Sequence, residues 1–371
     1  MKRWQFLTIG ITFILFLAAG GLGVLLYHGS GYSLSERRLL AASPRFSGPE
    51  LLSGRTAREW DDYVTDHFPA RETLRGIKAR FQLDLLRRRE NNGVLRVENA
   101  LAGLDTRSDP DSWAYAASRF REAADEWLNH NGITPVFAYI PGKTVYLKDQ
   151  GIPTADTEPL LNRLMENLPG FSFADLTDDL TWESFYRTDT HWRQEKLAKV
   201  VKHLLQELTG KNLSETDIVP LSAYTVKSLA PFEGVYPGQS ACRVEPDTIL
   251  YLTEGPLSDC FAADLEKQIR IPLYDPENCD ERDPYTLFAG GNRGAVQIVN
   301  PSASTSNELV IFRDSFAGPL APLLAPYFSR ITLIDLRVIP PQLIKRFVQP
   351  EGQAVLFLFS KTLLDNSWGL K

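Results

Sequence analysis

The longest apolar run of the chain lies at its N-terminus. From Phe6 to Ala19, and on through Gly20-Gly21-Leu22-Gly23-Val24-Leu25-Leu26-Tyr27, no charged residue interrupts it. That is long enough to cross a bilayer as one helix. Downstream the pattern changes to helical stripes separated by short apolar runs. Leu74, Ile77, Phe81 and Leu85 predict an amphipathic helix over 73–89. Trp113, Ala116, Ala117, Phe120, Ala124 and Trp127 form a second stripe, with Ser112 as a candidate cap and Asn131-Gly132 as a stop. Leu160, Leu161, Leu164, Met165 and Leu168 form a third, closed by Pro169-Gly170. Leu197, Val200, Val201, Leu204, Leu205 and Leu208 form a fourth, followed by Gly210. The apolar runs 133–140, 171–176, 309–312, 331–334 and 354–359 read as buried strands. Pro319, Pro322 and Pro326 limit the apolar segment 316–328 to a short or bent helix, and 343–348 reads as another helix. Strands alternating with helices imply βα units and a mainly parallel, doubly wound sheet.

Three regions follow from this pattern. Residues 5–27 are the membrane-spanning candidate. Residues 28–58, rich in Gly, Ser, Pro and Arg, read as a stalk. Residues 59–371 form the main domain, with an irregular, Pro-, Gly- and acid-rich insertion at about 211–295 that holds a few strands. Lys2 and Arg3 place the N-terminus in the cytoplasm and the main domain outside the cell. A cleaved signal peptide is the rival reading, because Ala18-Ala19-Gly20 offers small residues. The apolar run continues beyond a normal signal core, which favours an uncleaved anchor.

Composition narrows the function classes. The net charge of -6 gives no support to nucleic-acid binding. Walker, dinucleotide and zinc-finger spacings are missing, and no cofactor is expected. Cys242, Cys260 and Cys279 could form one disulfide and leave one thiol, with the pairing open. Their spacing does not suit zinc, and no metal site is expected.

The candidate chemistry lies in two fragments. Thr188-Asp189-Thr190-His191-Trp192 contains one of only five histidines, and Arg313-Asp314-Ser315-Phe316-Ala317-Gly318 follows directly on a strand. In an open parallel sheet, ligands sit at the C-terminal ends of strands. Ser315 occupies such a place, at the start of a helical segment whose amides could stabilise an oxyanion. By itself it would read as a helix cap. His191 is the side chain suited to take its proton near neutral pH, and Asp189 to orient the imidazole. A solvated Asp and a helix-capping His are the plainer alternative. Lys143 and Arg337, at strand ends, are candidates to bind an anionic or polar substrate group. His67, with Asp66, is a competing base, but the turn-like Phe68-Pro69 after it favours a structural role. Asp314 reads as a brace of the serine turn.

These fragments resemble those of a known family. Asp189-Thr190-His191-Trp192 resembles the D-x-H-W signature of the DHHW family, which is similar to the SGNH-like proteins of alginate O-acetylation. Trp60 to Tyr63 with Asp66 to Arg71, then Phe288 to Asn292, Arg313 to Ala317, and Ile334 to Arg337 resemble further family segments, in family order. The resemblance implies an SGNH-hydrolase-like three-layer α/β/α fold with Ser315 as nucleophile, His191 as base and Asp189 as orienter. Asn292 would be a further oxyanion donor. It also implies a reordered chain, since ordinary SGNH hydrolases place the serine block first. The expected activity is membrane-anchored, extracytoplasmic O-acetyl transfer or acetyl-ester hydrolysis on a cell-surface or exported polysaccharide. A multi-span membrane O-acyltransferase would be the implied partner. A non-catalytic carbohydrate-binding or assembly protein on the same fold is the alternative.

Overall fold

The computed structural model describes residues 3–26, 31–44, 54–128, 133–280, 282–288 and 290–371. Lys2, the expected helix stop at Asn131-Gly132 and part of the expected stalk, 45–53, lie outside the described residues. The chain divides into two compact units, one of residues 1–97 and 235–244, the other of residues 98–234 and 245–371.

The first unit begins with helix α1, Arg3–Leu26. Its segment Phe6–Val24 is long and apolar enough to cross a membrane. Helices α2, Arg55–His67, and α3, Arg71–Arg80, are joined at Phe68-Pro69-Ala70. Asp66 ties this corner to the preceding chain, accepting from Arg38 Nη1 and from the Ala41 amide, each at 2.8 Å. His67 is buried, stacked on Tyr63 at 4.2 Å, with Nδ1 3.0 Å from the Tyr63 carbonyl oxygen. Its surroundings are those of a structural histidine. The helix expected over 73–89 ends early. One π-helical turn, Phe81–Leu85, follows α3 and the chain then leaves helical geometry before Arg87. Ala79 and Leu83 are the buried apolar residues of this segment, whereas Leu74, Ile77, Phe81 and Leu85 are exposed. Periodicity located the stripe correctly but could not say that it faces away from the unit's core.

The second unit is built on an eight-stranded sheet. Its strands are β1 Val136–Ile140, β2 Ser172–Asp175, β3 Phe261–Asp264, β4 Ile269–Ile271, β5 Ala295–Val299, β6 Glu308–Arg313, β7 Arg330–Asp335 and β8 Ala354–Ser360. The spatial order is β4-β3-β5-β7-β6-β8-β1-β2. The five strands β7, β6, β8, β1 and β2 are parallel, and β5, β3 and β4 add an antiparallel edge. The region read as an irregular insertion supplies β3 and β4 to the sheet. A separate hairpin, Thr225–Phe232 with Asp247–Thr253, precedes them.

The central strands β6, β7, β8 and β1 are nearly continuous apolar runs because both faces are covered. Ile311, Leu356 and Ala138 face a core shared with helix α6, Ala198–Thr209, and helix α7, Ala317–Leu324. Phe312, Phe357 and Phe137 point to the other face, packed by helix α4, Pro110–Leu128, and helix α5, Glu158–Glu166. This is the three-layer α/β/α arrangement. Ser112, read as a cap, is instead buried inside α4, and its hydroxyl donates to the Leu364 carbonyl at 2.7 Å. Asp109, just before the helix, accepts the Asp111 amide. Along the sheet, β6 is followed by β7 on one side while β8 returns to the other. The crevice at the C-terminal ends of β6 and β8 is thus a topological switch point, the preferred ligand position of open α/β sheets.

Candidate active site

Ser315 stands just beyond β6, at that switch point. The turn carrying it is held from three directions. Asp314 Oδ2 accepts the Ser360 amide at the end of β8 at 2.8 Å, and its Oδ1 accepts the Phe316 amide at 3.0 Å. Asp314 is buried and braces the turn across two strands. The amides of Ala317 and Gly318 bond back to the carbonyls of Asp314 and Ser315. The first amides of α7 are therefore used inside the turn and do not form an open row of donors.

The loop bearing Asp189 and His191 meets this turn. His191 Nε2 lies 2.7 Å from Ser315 Oγ, and His191 Nδ1 lies 2.6 Å from Asp189 Oδ1. The same carboxylate oxygen accepts the His191 backbone amide at 2.9 Å. Asp189 is fully buried and Ser315 is half-buried. The two sequence fragments are also locked together by Trp192, whose buried indole Nε1 donates to the Phe316 carbonyl at 2.9 Å. Gln194 adds a second tie, donating to the Pro319 carbonyl at 2.7 Å and accepting the Leu252 amide at 2.8 Å.

The Asp189 loop is fixed from below. Asp247 Oδ2 accepts both the amide and the hydroxyl of Thr188, at 2.8 and 2.6 Å. The Thr188 hydroxyl in turn accepts the Gly234 amide at 3.0 Å. Gly234 is required by close approach, because a Cβ there would overlap the Thr188 carbonyl oxygen. Lys143 is buried rather than presented to a ligand. Its ammonium donates to the Tyr186 carbonyl at 2.8 Å and the Asp189 carbonyl at 3.0 Å. Burial pulls its pKa down to about 7, with Asp189 and Asp247 opposing that shift.

Tyr285 was not singled out by sequence reasoning. Its ring stacks on His191 at 4.0 Å and 20°, while Phe316 lies against the imidazole at 4.9 Å. Burial holds the Tyr285 hydroxyl well above the usual tyrosine pKa, so the ring acts as a neutral wall. The available signal was its place three residues before the Phe288 segment. Asn292 is exposed and lines a recess of about 20 Å³ beside Ser315, together with Tyr285, Phe288, Arg313 and Gly318. That is room for about one water molecule. Arg313 shapes this recess by donating to the Gly291 and Arg293 carbonyls. Gly290, at φ 96°, is the position that lets the backbone turn there. Arg337 is not among these lining residues. Its guanidinium pairs with Asp335 at 2.6 Å beyond β7.

Chemically, the arrangement is a hydroxyl on an imidazole on a buried carboxylate, within the distances needed for proton transfer to activate a nucleophile. Cys242, Cys260 and Cys279 are free thiols.

Comparison with solved structures gives the fold a context. A DHHW family protein from Eubacterium siraeum superposes with a TM-score of 0.57, covering 76% of this chain and 95% of that one at 18% identity. PatB1 of Bacillus cereus, with a sulfonyl adduct, gives a TM-score of 0.57, covering 73% of this chain and 96% of that one, also at 18% identity. The chain shares their fold. The SGNH-like α/β/α fold implied by the sequence resemblance is thus the fold observed, and at this identity the likeness is one of fold. The chain matches no protein-family model, and no curated protein is similar to it in sequence.

Proposed function

We propose that this protein is a serine-dependent O-acetyl-transfer enzyme, anchored by α1 and acting outside the cytoplasm on a polysaccharide. The observation that carries the reading is the continuous contact from Ser315 Oγ through His191 to Asp189, at 2.7 and 2.6 Å. In this reading Ser315 Oγ attacks the carbonyl carbon of an acetyl ester, and its proton passes to His191 Nε2. Collapse of the tetrahedral species breaks the ester bond, and His191 returns the proton to the leaving oxygen. The acetyl-serine then passes its acyl group to a sugar hydroxyl, or to water, with His191 as base. The Ser315 amide and the Asn292 side chain are the proposed oxyanion donors. Asp189 holds the imidazole in the tautomer with Nδ1–H and stabilises its charged form.

The polysaccharide acceptor and a multi-span acyltransferase that brings acetyl groups across the membrane come from the family resemblance. The test is hydrolysis of a chromogenic acetyl ester by the purified full chain. Ser315→Ala should lower kcat by about 10³-fold or more with unchanged thermal unfolding. Equal activity in the two proteins would remove Ser315 from the mechanism. A polysaccharide-binding protein without measurable esterase or transferase activity would favour the non-catalytic alternative.

A further inference from the structure

The exposed face of α3 and its π-helical extension has no role in the chemistry proposed for Ser315. We infer that residues 71–89 lie on the membrane surface, with the apolar face in the lipid interface and anionic headgroups on the flanking arginines. The inference rests on the reading of α1 as a membrane anchor.

The first observation is the pattern of exposure. On α3, at about 100° per residue, Leu74 and Ile77 lie within about 60° of each other, and exposed Phe81 and Leu85 on the π-helical turn continue that side, away from buried Ala79 and Leu83. A monomeric soluble unit gains nothing by presenting a phenylalanine, an isoleucine and two leucines together. The second observation is charge. Residues 71–89 carry seven basic and two acidic side chains, a net +5 in a chain whose total is -6. The two acids are already engaged, Glu72 with Arg71 and Arg75, and Asp84 with Arg96. Arg80, Arg87, Arg88 and Arg89 are all exposed. An apolar stripe rimmed by arginine is the composition of an interfacial helix drawn to anionic lipid.

Position chooses the bilayer over other apolar partners. Pro69 sits against Gly23 and Phe68 against Gly20, so close that a side chain at either glycine would meet them. These contacts lie in the last two turns of α1, which ends at Leu26. Helix α3 starts two residues after Pro69. If α1 spans the bilayer, α3 begins where the chain leaves it, and its exposed stripe starts within one turn of that point.

The experiment uses the full chain in vesicles of phosphatidylcholine and phosphatidylglycerol carrying a photoactivatable lipid, with adducts mapped by mass spectrometry. Lipid adducts are expected on both Phe6–Val24 and 71–89. Those on 71–89 should fall several-fold without phosphatidylglycerol, and also in the triple variant Ile77→Ser, Phe81→Ser, Leu85→Ser. These positions are exposed, so unchanged thermal unfolding verifies that the variant folds. Adducts confined to Phe6–Val24 would overturn the interfacial assignment and leave the anchor standing. Adducts on neither segment would remove both. Cross-linking of 71–89 to a protein instead of lipid in native membranes would also overturn the inference.

Discussion

Asp189 Oδ1 serves two donors of the same residue, the backbone amide and the ring Nδ1 of His191. The short loop therefore sets the imidazole angle before the serine turn is reached. Asp189→Asn keeps the shape but removes the charge that favours the imidazolium. It should lower kcat for acetyl-ester hydrolysis by about 10³–10⁴-fold with little change in KM. Steady-state kinetics on the folded variant check this.

Lys143 gives the site a pH-dependent stability. Burial lowers its pKa from 10.5 to about 7 in the folded chain. Between these values the unfolded chain binds the extra proton, so this group makes stability rise with pH from about 7 to 10.5. Below about 7 both states are protonated and its contribution is flat. Lys143→Met removes that slope and also leaves the Tyr186 and Asp189 carbonyls without their donor, a loss of about 1–3 kcal/mol. Urea unfolding across this pH range, with and without the substitution, measures both effects.

At the scale of elements, the site is a junction of one loop and one turn, each tied to the frame separately. The serine turn hangs between β6 and β8 through Asp314. The histidine loop hangs from Asp247 and Lys143, and Trp192 closes the gap to Phe316. Gly234 tests this division, because it touches the Thr188 backbone but is not one of the proposed reacting groups. Gly234→Ala must displace the loop, at a cost of about 2 kcal/mol or more. It should lower the melting temperature and reduce kcat, whereas a change confined to KM would show that the loop had not moved His191.

The same scale shows where the sequence was legible. Four of the five parallel strands, β1, β6, β7 and β8, were readable because a strand buried on both faces must be apolar almost throughout. The stripe of α6 and the short α7 were readable from helical spacing and from its prolines. Ser112 was misread because a serine before an apolar stripe suits a cap, and its contact with Leu364 lies far along the chain. Strands β3 and β4 were hidden because four and three residues are too few for either period to stand out.

At the scale of the whole molecule, chain order and spatial order disagree in an informative way. Counted from β6, the parallel strands run 2-1-3-4-5 across the sheet, a doubly wound order whose first strand carries the serine. In this chain that first strand comes late, after β1, β2 and the histidine loop. A parallel sheet tolerates such reordering because each strand is specified by its two neighbours and its two helical layers. The sequence by itself determined the apolar runs, the helical stripes, the N-terminal apolar segment and the two fragments that carry the candidate chemistry. These are local patterns, read from periodicity and residue type. Only the tertiary structure decided that His191 reaches Ser315, that Lys143 is buried beneath the loop, that Tyr285 walls the imidazole, and that the stripe on α3 faces outward. Each of these depends on which distant segments meet, and a one-dimensional pattern of polarity contains no record of that meeting.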